Sequence, residues 1–149
     1  MHIAAETPNQ PEVLELIAEL DAYQHALYPP ESNHLLDLNS LLQPNVLFVV
    51  ARDEDRKAIG CGAIVLYPEY GEIKRMYVQP AGRGKGVAKA MLAALEAGAA
   101  QQGRTTLALE TGIHQPEAIA LYERSGYQHC GPFGDYHEDP LSIFMRKAA

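Results

Sequence analysis

The sequence predicts an α/β fold, a mixed sheet with helices on both faces. Three observations predict it. Residues 46–78 hold three successive strand-like runs joined by short links, the pattern of an antiparallel meander. Residues 84–125 then alternate amphipathic helical stretches with another strand-like run. Hydrophobic residues make up 47% of the 149 and charged residues 21%, which supplies a core and argues against disorder.

Each element has its own signal. Residues 1–6 read as a first strand. Residues 8–21 read as a helix, because Val13, Leu16, Ile17 and Leu20 recur at helical spacing and Pro11 suits a first turn. Tyr28-Pro-Pro-Glu-Ser-Asn33 breaks that helix into a loop. Residues 35–42 form a candidate short helix. Residues 46–51, Val-Leu-Phe-Val-Val-Ala, are β-branched enough for a strand. Residues 58–66 and 70–78 are the next two strands. Residues 84–102 place Val87, Met91, Leu92, Leu95 and Ala99 on one helical face. A strand at 105–111 and a helix at 115–125 follow, the helix ended by Gly126. Residues 127–130 and 141–146 are the last strands, with a polar loop between them. No linker or repeat divides residues 1–149, so one domain is expected.

Composition narrows the function. Twelve basic against nineteen acidic residues give a formal charge of −7. Phosphate-backbone binding needs a basic footprint, so nucleic acid is not an expected partner. Cys61 and Cys130 make no CxxC pair and no disulfide framework, which points to a reducing cytoplasm. Residues 1–6 show no basic region leading into an apolar stretch, and the longest apolar run, 46–51, is too short for a bilayer. Neither a secretory signal nor a membrane partner is expected. The six histidines, at 2, 25, 34, 114, 129 and 137, form no metal-ligand run, so no metal is expected.

The chemistry concentrates in Val78-Gln-Pro-Ala-Gly-Arg-Gly-Lys-Gly-Val-Ala88, between a strand and a helix. Gly82, Gly84 and Gly86 let backbone amides approach a ligand closely. The helix after them aims its unpaired N–H groups and positive dipole end at the same place, and Arg83 and Lys85 add charge. Such a seat suits a diphosphate, although a glycine-rich turn that only caps a helix has the same spacing. It is no P-loop, because Gly86 follows Lys85 where Ser or Thr is needed. It is no dinucleotide fingerprint, because Val87 and Lys89 stand where a third glycine belongs.

Arg83-Gly-Lys-Gly-Val-Ala88 resembles the Arg/Gln-x-x-Gly-x-Gly/Ala signature of the GNAT N-acetyltransferases. Glu72-Ile-Lys-Arg-Met-Tyr-Val78 is similar to that family's fourth strand, and Ala118-Ile-Ala-Leu-Tyr-Glu-Arg-Ser-Gly-Tyr127 to the end of its second conserved helix. The resemblance covers residues 46–131 well and the N-terminal helices weakly. It implies a mixed, mostly antiparallel sheet of about seven strands flanked by about four helices. It also implies acetyl-CoA as cosubstrate and a small-molecule or peptide amine as acceptor, with a homodimer left open.

The resemblance further implies residue roles. The cofactor would be held by Met76, Tyr77 and Val78 along the pantetheine arm and by Arg83, Gly84, Lys85, Gly86, Val87 and Ala88 at the diphosphate. Gln115 stands where many members have Asn, one methylene shorter, and would also reach the cofactor. Glu72 would be the general base and Tyr122 the group beside the CoA sulfur. Glu72 is expected on the same strand face as Met76 and Val78, because strand side chains alternate with period two. Tyr28, Glu31, His34, Asp135 and Tyr136 lie in the two loops that would flank the acceptor.

The plainer readings stay open at this point. Glu72 also reads as a carboxylate paired with Lys74 or Arg75, and Tyr122 as a core tyrosine. A non-catalytic acyl-CoA-binding or regulatory module would share the fold.

Overall fold

A computed structural model describes residues 1–32 and 37–148. In chain order its elements are β1 (His2–Ala5), α1 (Pro11–Leu27), α2 (Leu38–Leu41), β2 (Val46–Arg52), β3 (Ala58–Leu66), β4 (Gly71–Val78), α3 (Val87–Gln101), β5 (Thr106–Gly112), α4 (Pro116–Arg124), β6 (Gln128–Cys130) and β7 (Ser142–Ala148). The strands form one sheet in the order β1-β2-β3-β4-β5-β7-β6. All neighbours are antiparallel except β4 and β5. The seven strands and four α-helices match the architecture read from the sequence.

Two helical layers cover the sheet. On one face Met91, Leu92, Leu95 and Ala99 of α3 and Tyr122 of α4 pack on Val49, Ile64, Leu107 and Met145. These are the residues whose helical spacing marked α3. On the other face Val13, Leu16 and Ile17 of α1 and Leu41 of α2 pack on Phe48, Val50, Cys61 and Ala63. Successive residues of β2 thus serve opposite cores, as strand geometry requires. A β-branched run such as this, buried on both sides, carries no polar alternation.

Two boundaries differ from the sequence reading. The first helix runs on to Leu27, well past residue 21. It stops at Tyr28, whose extended backbone still donates its N–H to the carbonyl of Gln24. The second helix occupies Leu38–Leu41, capped by the Asp37 side chain accepting from the Ser40 amide at 2.8 Å. The first part of the expected 35–42 helix lies outside the described residues.

Candidate active site

The site forms where β4 and β5 part. Their parallel pairing covers Gly71↔Leu107, Glu72↔Ala108 and Ile73↔Leu109 and stops there. From Lys74 onward the edge of β4 that faced β5 has no strand beside it. A bulge sits at the same point. The register with β3 moves from Ala63↔Lys74 to Cys61↔Tyr77, so an extra residue enters β4, and Arg75 takes a left-handed backbone with φ 58°.

This bulge corrects the expectation that Glu72 shares a face with Met76 and Val78. Cys61 and Ala63 lie on one face of β3, so their partners Tyr77 and Lys74 lie on one face of β4, three residues apart. Glu72 and Lys74 therefore point toward the α1 layer, whereas Met76 and Val78 pack in the α3 core. A left-handed arginine costs about 1–2 kcal/mol. Its buried guanidinium is paired with Asp21 of α1, and the Cys61 thiol donates to the Arg75 carbonyl at 3.7 Å. Both contacts hold the bulge in place.

A groove of about 890 Å³ lies on the α3–α4 side of the gap, a size suited to a cofactor-sized ligand. Its floor is Met76, Tyr77 and Val78, and its walls include Gly82–Gly84 and Gly86–Lys89 on one side and Gln115–Ala118 and Tyr122 on the other. Gly84 and Gly86 both have φ 77°, and a β-carbon at either would meet nothing within 4 Å. Glycine is thus required here by the backbone, and it leaves the amide side of the turn open. Gly86 is the N-cap of α3 and contributes no side chain there. Arg83 donates to the Val78 carbonyl at 3.0 Å and lies over the Tyr77 ring. Lys85 is exposed and does not line the groove; Lys89, in the first turn of α3, does. The glycine spacing that marked the turn carries no information about which lysine faces inward.

A smaller chamber of about 90 Å³ opens on the α1 side of the same gap. At roughly 10–15 Å³ per enclosed water it has room for a handful of waters or the amine end of a substrate. Leu20, Gln24, Tyr28 and Ser32 line it from the α1 side, Lys74 and Arg75 from β4, and Glu110 and Thr111 from β5. Tyr28 is buried and fixed. Its hydroxyl donates to Gln115 Oε1 at 3.3 Å and accepts the His114 amide at 3.1 Å. Gln115 Oε1 also accepts the Gly112 amide at 3.3 Å. Burial raises the Tyr28 hydroxyl above the ordinary tyrosine range, so it keeps its proton at neutral pH.

The two loops expected to flank an acceptor do meet: Ser32 Oγ donates to Asp139 Oδ2 at 2.7 Å. Glu31 and Asp135, however, are exposed and line neither cavity, and His34 lies outside the described residues. Tyr136 covers Glu72. Its hydroxyl donates to Glu72 Oε2 and accepts from Lys74 Nζ, both at 2.5 Å, and Lys74 lies 3.4 Å from the same carboxylate oxygen. Glu72 is 3% exposed and lines neither cavity. Its pairing with Lys74 is the plainer of the two readings the sequence allowed.

Tyr122 belongs to both cavities, with Leu20, Met76, Gln115 and Ala118. Its ring packs edge-on against Tyr127 at 5.8 Å in the α3 core. No residue among those described hydrogen-bonds its hydroxyl. Burial, with the Glu110 carboxylate adding to it, pushes that hydroxyl well above the usual tyrosine range. It keeps its proton at neutral pH and stands between a cofactor-sized groove and a small polar chamber.

The sequence model of the Acetyltransferase (GNAT) family matches residues 13–127. The chain belongs to this family.

Whole-length relatives agree. An IAA acetyltransferase of Azospirillum brasilense is 50% identical over 147 residues, covering 97% of this chain and 95% of that protein. YsnE of Bacillus subtilis, an uncharacterized N-acetyltransferase, is 40% identical over 99% of both chains. A crystal structure from Klebsiella pneumoniae, assigned as an acyl-CoA N-acyltransferase, superposes with a TM-score of 0.87 at 46% identity over 99% of this chain and 96% of that one. The PaiA N-acetyltransferase of Thermoplasma acidophilum, solved with coenzyme A, shares the fold with a TM-score of 0.78 at 18% identity. Like its family, the chain is an N-acetyltransferase with acetyl-CoA as cosubstrate. Among the described residues no helix is long and apolar enough to cross a membrane, and no group of three or more His, Cys, Asp or Glu side chains could hold a metal ion.

Proposed function

We propose that this GNAT enzyme acetylates the primary amine of a small molecule or peptide in the cytoplasm, with Tyr122 standing between donor and acceptor. The observation that carries the reading is the position of Tyr122 in the wall common to both cavities. The acceptor amine enters from the α1 side through the 90 Å³ chamber. A chamber of that size favours a slender alkyl amine over a bulky one.

The residues of the groove fit acetyl-CoA. The turn at Arg83–Ala88 opens its amides and the N-terminal end of α3 toward a diphosphate, with Arg83 and Lys89 beside it. The unpaired edge of β4 at Met76–Val78 suits an amide-bearing arm, which adds to a strand edge as another strand would. Gln115 and Ala118 bound the end of that arm. Bound acetyl-CoA supplies an activated acyl carbon and a thiol leaving group. Tyr122 would offer its O–H as a hydrogen bond to the departing sulfur, easing loss of a thiolate whose thiol has a reference pKa of about 8.5. The buried Cys61 and half-buried Cys130 are unpaired, in keeping with a reducing cytoplasm.

Calorimetry and turnover test this reading. Gly86→Glu places bulk and negative charge against the diphosphate seat and should abolish CoA binding. Tyr122→Phe keeps the ring and should retain CoA binding while kcat falls about 10²–10⁴-fold, the range for general acid loss. Unchanged CoA affinity in Gly86→Glu would reject the groove, and full activity in Tyr122→Phe would return the tyrosine to a packing role.

A further inference from the structure

The loop between β6 and β7, residues 131–141, grips the small chamber from outside at two places. Neither Tyr136 nor Asp139 lines the chamber, yet each is hydrogen-bonded to a residue that does. Lys74 Nζ, in the β4 wall, donates to the Tyr136 hydroxyl at 2.5 Å. Ser32 Oγ, in the wall that follows α1, donates to Asp139 Oδ2 at 2.7 Å. Tyr136 and Asp139 are three positions apart in one loop. A short piece of chain therefore spans two walls that come from distant parts of the sequence.

That piece is well anchored. The Tyr136 hydroxyl also donates to Glu72 Oε2, in the stretch where β4 still pairs with β5. The Phe133 and Tyr136 rings pack edge-on against Phe144 of β7, at 5.9 and 5.4 Å. The Tyr136 amide donates to the Phe133 carbonyl at 3.0 Å, and Asp139 Oδ1 accepts the Leu141 amide at 2.9 Å. Ser32, by contrast, belongs to a single 3₁₀ turn, Pro30–Ser32, a unit with little stability of its own. Its bond to a carboxylate is charge-assisted and part-buried, which makes it the stronger kind. The firm partner is the loop, and the wall at Ser32 is what it holds.

We propose that Tyr136 and Asp139 brace the chamber, fixing the distance between its β4 wall and its Ser32 wall and so selecting acceptors that are slender at the amine end. Both are positioning residues, acting through Lys74 and Ser32. The inference rests on the amine acetylation proposed above and names what limits the size of the acceptor. A brace has a particular signature. It works only while both ends are tied, so cutting either end releases the wall, and cutting both releases it no further.

The test compares two acceptors, n-butylamine and cyclohexylmethylamine. Both carry the nitrogen on a CH₂ group, so they differ in width and not in the reacting group. The parent should prefer n-butylamine by about 10–200-fold in kcat/KM, the range in which a pocket discriminates by size. Tyr136→Phe removes the hydroxyl and leaves the ring on Phe144. Asp139→Ala cuts the other tie without altering the chamber lining. Each should shrink the preference about tenfold, chiefly by lowering KM for the wide amine. The double variant should lie within about twofold of either single, because the two changes act on one coupled element. Acetyl-CoA affinity, measured by calorimetry, should stay parental, since none of Ser32, Lys74, Tyr136 and Asp139 lines the groove.

A parental preference in both single variants overturns the inference. So do effects that multiply in the double variant, which would mean two independent local changes. If Asp139→Ala folds poorly, Ser32→Ala cuts the same bond from the chamber side and decides: an unchanged preference there rejects the brace. Ser32→Thr keeps the hydroxyl and should hold the preference at or above the parental value. A parent that binds acetyl-CoA but acetylates neither amine overturns the proposed acceptor and this inference with it. A parent that acetylates n-butylamine while every variant keeps its preference overturns the inference alone.

Discussion

The Tyr28 hydroxyl occupies the space where residue 112 would carry a side chain: a β-carbon on Gly112 would lie 1.8 Å from that oxygen. Glycine at 112 is what lets the end of α1 reach across to β5 and α4. Gly112→Ala should therefore expel the Tyr28 ring and cost about 1–3 kcal/mol, as overpacking of a rigid side chain does. In a Tyr28→Ala background the same change should cost much less. Urea unfolding of the four proteins measures the coupling, and additive costs would show that the two residues do not share the space.

The bulge at Arg75 predicts a specific sensitivity in α1. Asp21→Ala removes the carboxylate that pairs with the buried guanidinium. The loss should be about 1.5–3 kcal/mol, as for hydrogen bonds to charged groups. It should appear as a lower denaturation midpoint at unchanged slope. Catalysis should suffer with stability, because the bulge sets which β4 side chains face each cavity. A variant of parental stability would show that Asp21 does not hold the bulge.

Acid lability should originate partly at the other end of the sheet. Arg52 donates to both carboxylate oxygens of Glu6, at 3.0 and 2.9 Å, and holds that carboxyl below its ordinary pKa. A carboxyl whose folded pKa is depressed adds stability above its unfolded pKa, near 4.5 here, and loses it as pH falls through the folded value. Glu6→Gln should lower Tm at pH 6 and 7 and converge with the parent as pH falls below the folded pKa of Glu6, where both side chains are neutral. A constant offset across the whole pH range would assign the loss to packing instead.

Much of this molecule is written in local patterns, and the parts that are not share a cause. The β-branched runs of β2 and β3, the apolar stripe of α3 and the glycines at 84 and 86 are local signals, and each element stands where its signal lies. The length of α1 was hidden because its last turn is held by Tyr28, a contact with residues almost ninety positions away. The bulge was hidden because Arg75 is a poor residue for a left-handed backbone, and only its tertiary partners keep it there. Strict alternation along β4 therefore placed Glu72 on the wrong side. Glu110 did leave a trace, a lone carboxylate in the apolar run Leu107-Ala-Leu-Glu-Thr111, but its access depends on where two strands separate.

The extra residue at Arg75 also bears on the order of events in turnover. Because β4 changes sides there, the two cavities take different stretches of β4 and share only Leu20, Met76, Gln115, Ala118 and Tyr122 in their linings. On the proposed reading, neither reactant blocks the entry of the other. No cysteine stands between them to carry the acyl group, since Cys61 is buried in the α1 core and burial pushes its thiol up to about 12. Initial-rate plots at several fixed acceptor concentrations should therefore intersect, the mark of direct transfer within a ternary complex. Parallel lines would require a covalent stop on the protein, and neither cavity has a cysteine in its lining to provide one.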